Sequence, residues 1–229
     1  SVLTSQHLPR FRAIVGEDYV FNDLEQRQHY SHDETEDLSF LPDIVIKPRT
    51  AEEISEILKI CNAEKIPVTP RGAGTGLSGG ALPQLGGIVI STERMNSILK
   101  IDEDNLQVIT EPGVITEELQ RAVQAKGFFY PPDPNSRGSC FIGGNIAENS
   151  GGPKALKYGV VKDYVLNLEI VLPTGEILWT GANVLKNATG YNLTQLIVGS
   201  EGTLAFITKI VLKLIPYPQF NLLILAPFR

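Results

Sequence analysis

Over half of the chain's 21 glycines fall in two short windows, seven between Gly72 and Gly87 and five between Gly138 and Gly152. Glycine loses more backbone freedom on folding than any other residue, so a chain concentrates it where the backbone must turn tightly or come close to a ligand. The clustering therefore predicts two ligand-contacting loops rather than two long turns.

The first window reads Pro70-Arg71-Gly72-Ala73-Gly74-Thr75-Gly76-Leu77-Ser78-Gly79-Gly80. It contains G-x-G-x-x-G at Gly74, Gly76 and Gly79 with Glu93 downstream, the pattern of a nicotinamide-binding Rossmann unit. That reading needs a helix to spring from the loop and carry the pyrophosphate on its N-terminus. Only Ala81 to Gly87 separate the loop from the next apolar run, with Pro83 and two glycines among them, so no helix fits. A Walker loop is excluded too, because no Lys-Ser or Lys-Thr follows the glycines. What remains is a nest, in which successive main-chain N–H groups wrap an anion without a helix end.

The elements around the windows follow from pattern. Asp43 to Lys47 predicts a strand closed by Pro48, and Thr50-Ala51-Glu52-Glu53 a capping box that opens a helix. Ile54, Ile57, Leu58 and Cys61 then share one buried stripe. Pro67 to Pro70 and Gly87 to Ser91 predict two more strands, giving a β-α-β unit that feeds the glycine loop. Beyond it, hairpins are expected around residues 102–105 and 173–176, with a helix from Thr116 to Lys126 between them. A final strand from Leu204 to Leu214 is expected to place Leu204, Phe206, Thr208, Ile210, Leu212 and Leu214 on one face. The fold class is thus α+β in two lobes, a small parallel βαβ lobe and a larger antiparallel lobe with helices. The expected organisation is a lead-in over 1–37, lobes over 38–102 and 103–218, and over 219–229 the start of a further domain, marked by Leu222-Leu223-Ile224-Leu225.

With 42% hydrophobic and 20% charged residues the chain can bury a substantial core. A formal net charge of -6 without a Lys/Arg cluster argues against a nucleic-acid partner. No apolar run is long enough for a transmembrane segment. Two distant cysteines give no disulfide framework and suggest a reducing compartment. The three histidines, His7, His29 and His32, are expected to be solvated, and no metal site is expected.

PRGAGTGLSGG, followed by GSCFIGGNIAENSGGPKALKYGVVKDYV and GYNLTQLIVGSEGTLAFIT, resembles the FAD-binding (PCMH-type) domain of the vanillyl-alcohol oxidase superfamily, nearest its glycolate oxidase and D-lactate dehydrogenase branch. The resemblance covers roughly residues 35 to 218. It implies that Pro70, Arg71, Gly72, Ala73, Gly74, Thr75, Gly76 and Ser78 form the pyrophosphate loop. Pro132, Asp133, Pro134, Ser139, Gly143, Gly144 and Asn145 would line the path of the flavin and its phosphates. Asn149, Ser150, Gly151 and Gly152 would lie near the isoalloxazine ring, and Glu201, Gly202 and Ile207 would border the adenosine half. Simpler roles stay open at this stage: a surface ion pair for Arg71, a turn for Asp133 and Glu201, helix caps for Asn145 and Asn149. Tyr158 and Tyr191 read as packing residues. Covalent members of the superfamily commonly carry His where Thr75 stands, so the resemblance implies non-covalent FAD.

By the same resemblance, the whole protein would oxidise a small 2-hydroxy acid such as D-lactate or glycolate by hydride transfer to flavin N5, then pass electrons to a separate acceptor. The base and the carboxylate-binding cation would lie in a C-terminal substrate domain, leaving this chain inactive alone. The expected location is cytoplasmic or peripheral at the inner membrane. A non-catalytic flavin-binding subunit, or a member with a non-oxidative flavin-dependent task, is the alternative.

Overall fold

A computed structural model describes Leu3, residues 6–220, Leu222 and residues 224–227. The chain runs α1 (His7–Val15), β1 (Val20–Phe21), α2 (Leu24–His29), β2 (Ile44–Ile46), α3 (Ala51–Glu64), β3 (Val68–Arg71) and β4 (Ile88–Ser91) through the first lobe. The second lobe holds β5 (Ile98–Asp102), β6 (Gln107–Thr110), α4 (Thr116–Gln124), β7 (Phe128–Phe129), α5 (Ile142–Glu148), α6 (Ala155–Tyr158), β8 (Val165–Val171), β9 (Ile177–Trp179), α7 (Leu193–Ile197), β10 (Phe206–Lys213) and β11 (Ile215–Pro216).

The first sheet has the order β1-β2-β4-β3, with β2 and β3 both parallel to β4. A parallel sheet must be covered on both faces, which is why β2 and β4 read as unbroken apolar runs. Ile44, Ile46, Ile88 and Ile90 meet Ile54, Ile57 and Cys61 of α3 on one face. Val45 and Val89 point the other way, against Tyr30 and Phe21. The predicted lead-in is therefore part of this lobe: β1 pairs antiparallel with β2, and Tyr30 covers the face that α3 cannot reach. Ile57 is fully buried, and truncating such a side chain to alanine costs about 2–5 kcal/mol.

Thr50 caps α3 as expected, its hydroxyl accepting from the Glu53 N–H at 3.2 Å. The return bond differs, since Glu53 accepts from the N–H of Arg49 rather than from that of Thr50.

The second sheet, β5-β6-β10-β8-β9, is antiparallel throughout. Its core joins α4, α5 and the strands through Leu119, Val123, Ile142, Ile146, Leu168 and Ile210. The single-face alternation expected for β10 does not hold. Register shifts between Ile207 and Lys209 and between Val211 and Leu212 break the period, and Leu204 is 42% exposed. The irregularity is useful: Phe206, with Val171 of β8, enters the α3 core of the first lobe, while Ile207 and Ile210 face the second core. The two lobes thus share an apolar seam. β5, which the sequence assigned to the first lobe, pairs with β6 in the second sheet.

Two expectations about single residues change. His7 is buried rather than solvated, because it packs on α3 with Nε2 at Glu64. Tyr191 is 96% exposed and packs little, whereas Tyr158 sets its ring edge-on to Phe129. Of the proposed 222–225 strand, Leu223 lies outside the described residues, and Leu222, Ile224 and Leu225 are exposed without regular structure.

Candidate functional site

The first glycine window leaves the carboxyl end of β3, the end of parallel strands at which ligands collect in open α/β sheets. It forms turns and bends with no helix. Among the described residues, no main-chain N–H from Ala73 to Gly80 donates to a protein acceptor. The loop is held through its carbonyls instead: Gly76 O accepts from Glu34 N–H and Gly79 O from Leu82 N–H, each at 3.1 Å. A backbone tethered by its acceptors leaves its donors free, the condition a nest requires.

The second window does not remain a loop. It opens helix α5, which corrects the expectation that both windows form loops. Ile142 N–H bonds to Val114 O at 2.9 Å and Gly143 N–H to Pro112 O at 2.8 Å, which fixes the entry of the helix against the chain after β6. A Cβ on Gly143 would lie 2.5 Å from that of Pro112, so this glycine serves packing. Gly144 has nothing within 4 Å of an added Cβ and lines the cavity. At the far end of α5, the orphan carbonyls of Ile146 and Ala147 accept from Gly199 and Glu201 N–H groups at 2.9 and 3.0 Å. This docks the turn bearing Glu201 and Gly202, both left-handed at φ 52° and 72°, beside the glycine loop.

One cavity of about 160 Å³ results, walled by the loop after β3, the first turns of α5, the Ser200–Gly202 turn and the start of β10. Small-molecule pockets usually run to about 300–1,000 Å³, so this cavity is smaller than a typical complete ligand site. Pro70, Arg71, Gly72, Ala73, Gly74, Thr75, Gly76, Gly143, Gly144, Asn145, Ser150, Glu201, Gly202 and Ile207 line it together.

The remaining candidates lie outside its walls. Asp133 is buried and binds Arg137 at 2.8 Å and Lys154 at 3.0 Å; burial alone would raise its carboxyl, but these two cations hold it below the usual range. Pro132 and Pro134 flank it, and Gly152 packs on its carbonyl, where an added Cβ would fall 2.1 Å from the oxygen. Asn149 is the left-handed C-cap of α5, its side-chain oxygen accepting from Lys162 N–H, and Gly151 packs near Val160. Asn145, which does line the cavity, is no cap: it sits within α5 and its amide donates to the Thr116 hydroxyl. Ser78 donates to both Glu148 carboxylate oxygens at 3.2 Å, and Ser139 turns back to Ser136 O.

Arg71 is the electrostatic centre. Only 7% exposed, it makes no ion pair among the described residues, which removes the surface-pair reading. Nη2 donates to His32 O at 2.8 Å and the guanidinium stacks over Tyr30, yet Nη1 is buried without any partner. Burial pulls the guanidinium's pKa down, while the charges of Asp33, Tyr30 and Glu93 push it back up. Beneath Tyr30, Glu93 accepts from the phenol at 2.6 Å and from Lys47 at 2.8 Å. Across the cavity, burial and the nearby charge of Glu201 push the Glu148 carboxyl up, Ser78 lowers it, and Asp33 adds a smaller upward push.

The sequence reading missed Asp33, Thr92, Pro112, Glu148 and Ser200 in this lining. Glu148 lay next to a recognised motif residue, but Asp33 was hidden in the acidic run 32–37, which looks like solvated chain.

A family profile described as FAD binding domain matches residues 42–181. Glycolate oxidase subunit GlcD of Bacillus subtilis strain 168 is 52% identical over 200 residues, covering 87% of this chain and 43% of that protein. D-lactate dehydrogenase of Anaerostipes hadrus is 40% identical, covering 99% and 48%. The chain thus spans less than half the length of either relative. Among solved structures, an alkyldihydroxyacetonephosphate synthase superposes with a TM-score of 0.83 at 26% identity, over 95% of this chain and 42% of that one.

Proposed function

Because the chain belongs to the FAD binding domain family, we propose that the cavity between its two glycine windows holds the diphosphate of FAD. The observation that carries this reading is the buried, partnerless Arg71 Nη1 beside a run of free main-chain N–H groups. A buried guanidinium N–H group without an acceptor is costly, and an anion in the cavity supplies the acceptor. The residues present therefore fit a dinucleotide diphosphate.

In this arrangement the N–H groups from Ala73 to Gly80 donate to phosphate oxygens, and Gly72 and Gly144 keep the approach clear of side chains. Glu201 and Ile207 border the adenosine half. The ring lies beyond the cavity, toward Asn149, Ser150, Gly151 and Gly152, with Pro132, Asp133 and Pro134 along the way. When bound, the flavin supplies two-electron acceptor chemistry. Thr75 offers no ring nitrogen, so attachment is non-covalent.

The relatives named for glycolate and D-lactate support a small 2-hydroxy acid as substrate of the whole protein, with electrons leaving to a separate acceptor. Their greater identity favours this over the alternative of a non-oxidative flavin-dependent task. The relatives are more than twice as long as the stretch this chain matches, and the substrate base and the carboxylate-binding cation would be carried by the part of such a protein that this chain does not cover. Cys61 and Cys140, both free, favour a cytoplasmic location. No helix among the described residues is long and apolar enough to cross a membrane.

Gel filtration of the chain mixed with FAD or NAD tests the reading. Flavin should co-elute and be released completely by acid precipitation, with no turnover of glycolate or D-lactate. Retention of NAD without flavin would overturn it.

A further inference from the structure

Asp33 lies outside the matched domain region, on the segment after α2, yet it lines the cavity. Its side chain is well defined by local bonding: Oδ1 accepts from Thr35 N–H at 2.8 Å, and the residue is 8% exposed. Oδ2 is buried with no hydrogen-bond partner. Leaving a carboxylate oxygen in that state is expensive, so it calls for a donor. Arg71 does not supply one, for the two side chains feel each other's charge but form no ion pair. A phosphate cannot supply one either, because its ionised oxygens only accept and would be repelled. A sugar hydroxyl can.

Resting on the FAD reading above, we propose that Asp33 is a specificity residue of the cofactor site, whose Oδ2 accepts a hydrogen bond from a ribose or ribityl hydroxyl of the dinucleotide. Arg71 offsets the carboxylate's charge, so the anionic cofactor tolerates an acid at this point. The segment is held for the task by Glu34 N–H on Gly76 O and by the His32 carbonyl on Arg71.

Asp33→Asn separates this role from a structural one. The amide oxygen can still accept from Thr35, so the local turn survives, but the second oxygen becomes a donor. Affinities of the unaltered chain and the variant are measured by flavin fluorescence for FAD and for FAD analogues that each lack one sugar hydroxyl, on either the ribose or the ribityl chain. The substitution should weaken FAD about tenfold or more, the usual size of a hydrogen bond to a charged group. For one analogue the loss should vanish, since the bond is already missing. Equal weakening of FAD and every analogue, or no weakening of FAD, overturns the proposal while leaving the FAD reading intact. Failure of the unaltered chain to bind FAD overturns both.

Discussion

Gly72 and Gly144, one from each glycine window, face each other so closely that a Cβ built on Gly72 would lie 3.7 Å from the Gly144 Cα. Residues far apart in sequence thus form the two sides of one slot. On the Gly144 side an added side chain meets nothing within 4 Å and would project into open cavity. Gly144→Val should therefore change the stability of the FAD-free protein by less than about 1 kcal/mol, since valine outranks glycine within a helix. FAD affinity should fall at least tenfold. Thermal melting and flavin titration of the same preparation check both halves.

Gly74 serves the loop differently. At φ 72° it occupies the left-handed region, and a Cβ there would reach 2.2 Å from Arg71 Nη2. The guanidinium can swing away, so the main stability cost of Gly74→Ala is backbone strain, about 1–2 kcal/mol. The displaced Arg71 should cost cofactor binding as well. Urea unfolding paired with a binding titration should show both losses in one variant.

Arg71→Met removes the buried cation and should weaken FAD about tenfold or more. Arg71→Lys should not restore it, because one ammonium cannot replace a fork that reaches both His32 O and the cavity. Full affinity in the lysine variant would show that a point charge suffices.

Glu148 gives the site a pH signature. Its carboxyl is raised by burial and by the neighbouring charges of Glu201 and Asp33. The folded state therefore takes up a proton more readily than the unfolded chain, so the stability tied to this group is present at acid pH and is lost as pH rises through the raised pKa. Glu148→Gln should raise the melting temperature of the FAD-free protein at neutral pH, and the difference from the unaltered chain should close as pH falls into the ordinary carboxylate range. It should also strengthen binding of the anionic cofactor at neutral pH, most clearly at low salt. A melting difference that persists unchanged at acid pH would contradict the assignment.

Sequence reading reached far where period and backbone chemistry agree. The α3 stripe, the parallel strands and the helix-free glycine loop were all legible, because Ile54, Ile57 and Cys61 repeat with the helix and Ala81 to Gly87 is too short for a crossover. The β10 alternation was not, since nothing in the local pattern of Phe206–Lys213 marks the register shift around Thr208. Gly143 and Gly144 looked like loop residues because glycine weakens helices; tertiary bonds to Pro112 and Val114 override that preference. Asp33 was illegible for another reason. Its segment is held against the glycine loop by Glu34 N–H on Gly76 O and by the His32 carbonyl on Arg71, contacts between residues that no local pattern connects.

The most direct test compares FAD with riboflavin, which shares the ring and ribityl chain but lacks the diphosphate and adenosine. Calorimetric titration of the chain should give one FAD per molecule and no measurable riboflavin binding under the same conditions. Equal affinity for the two, or no FAD binding at all, would contradict a site built to grip the diphosphate between Gly72 and Gly144.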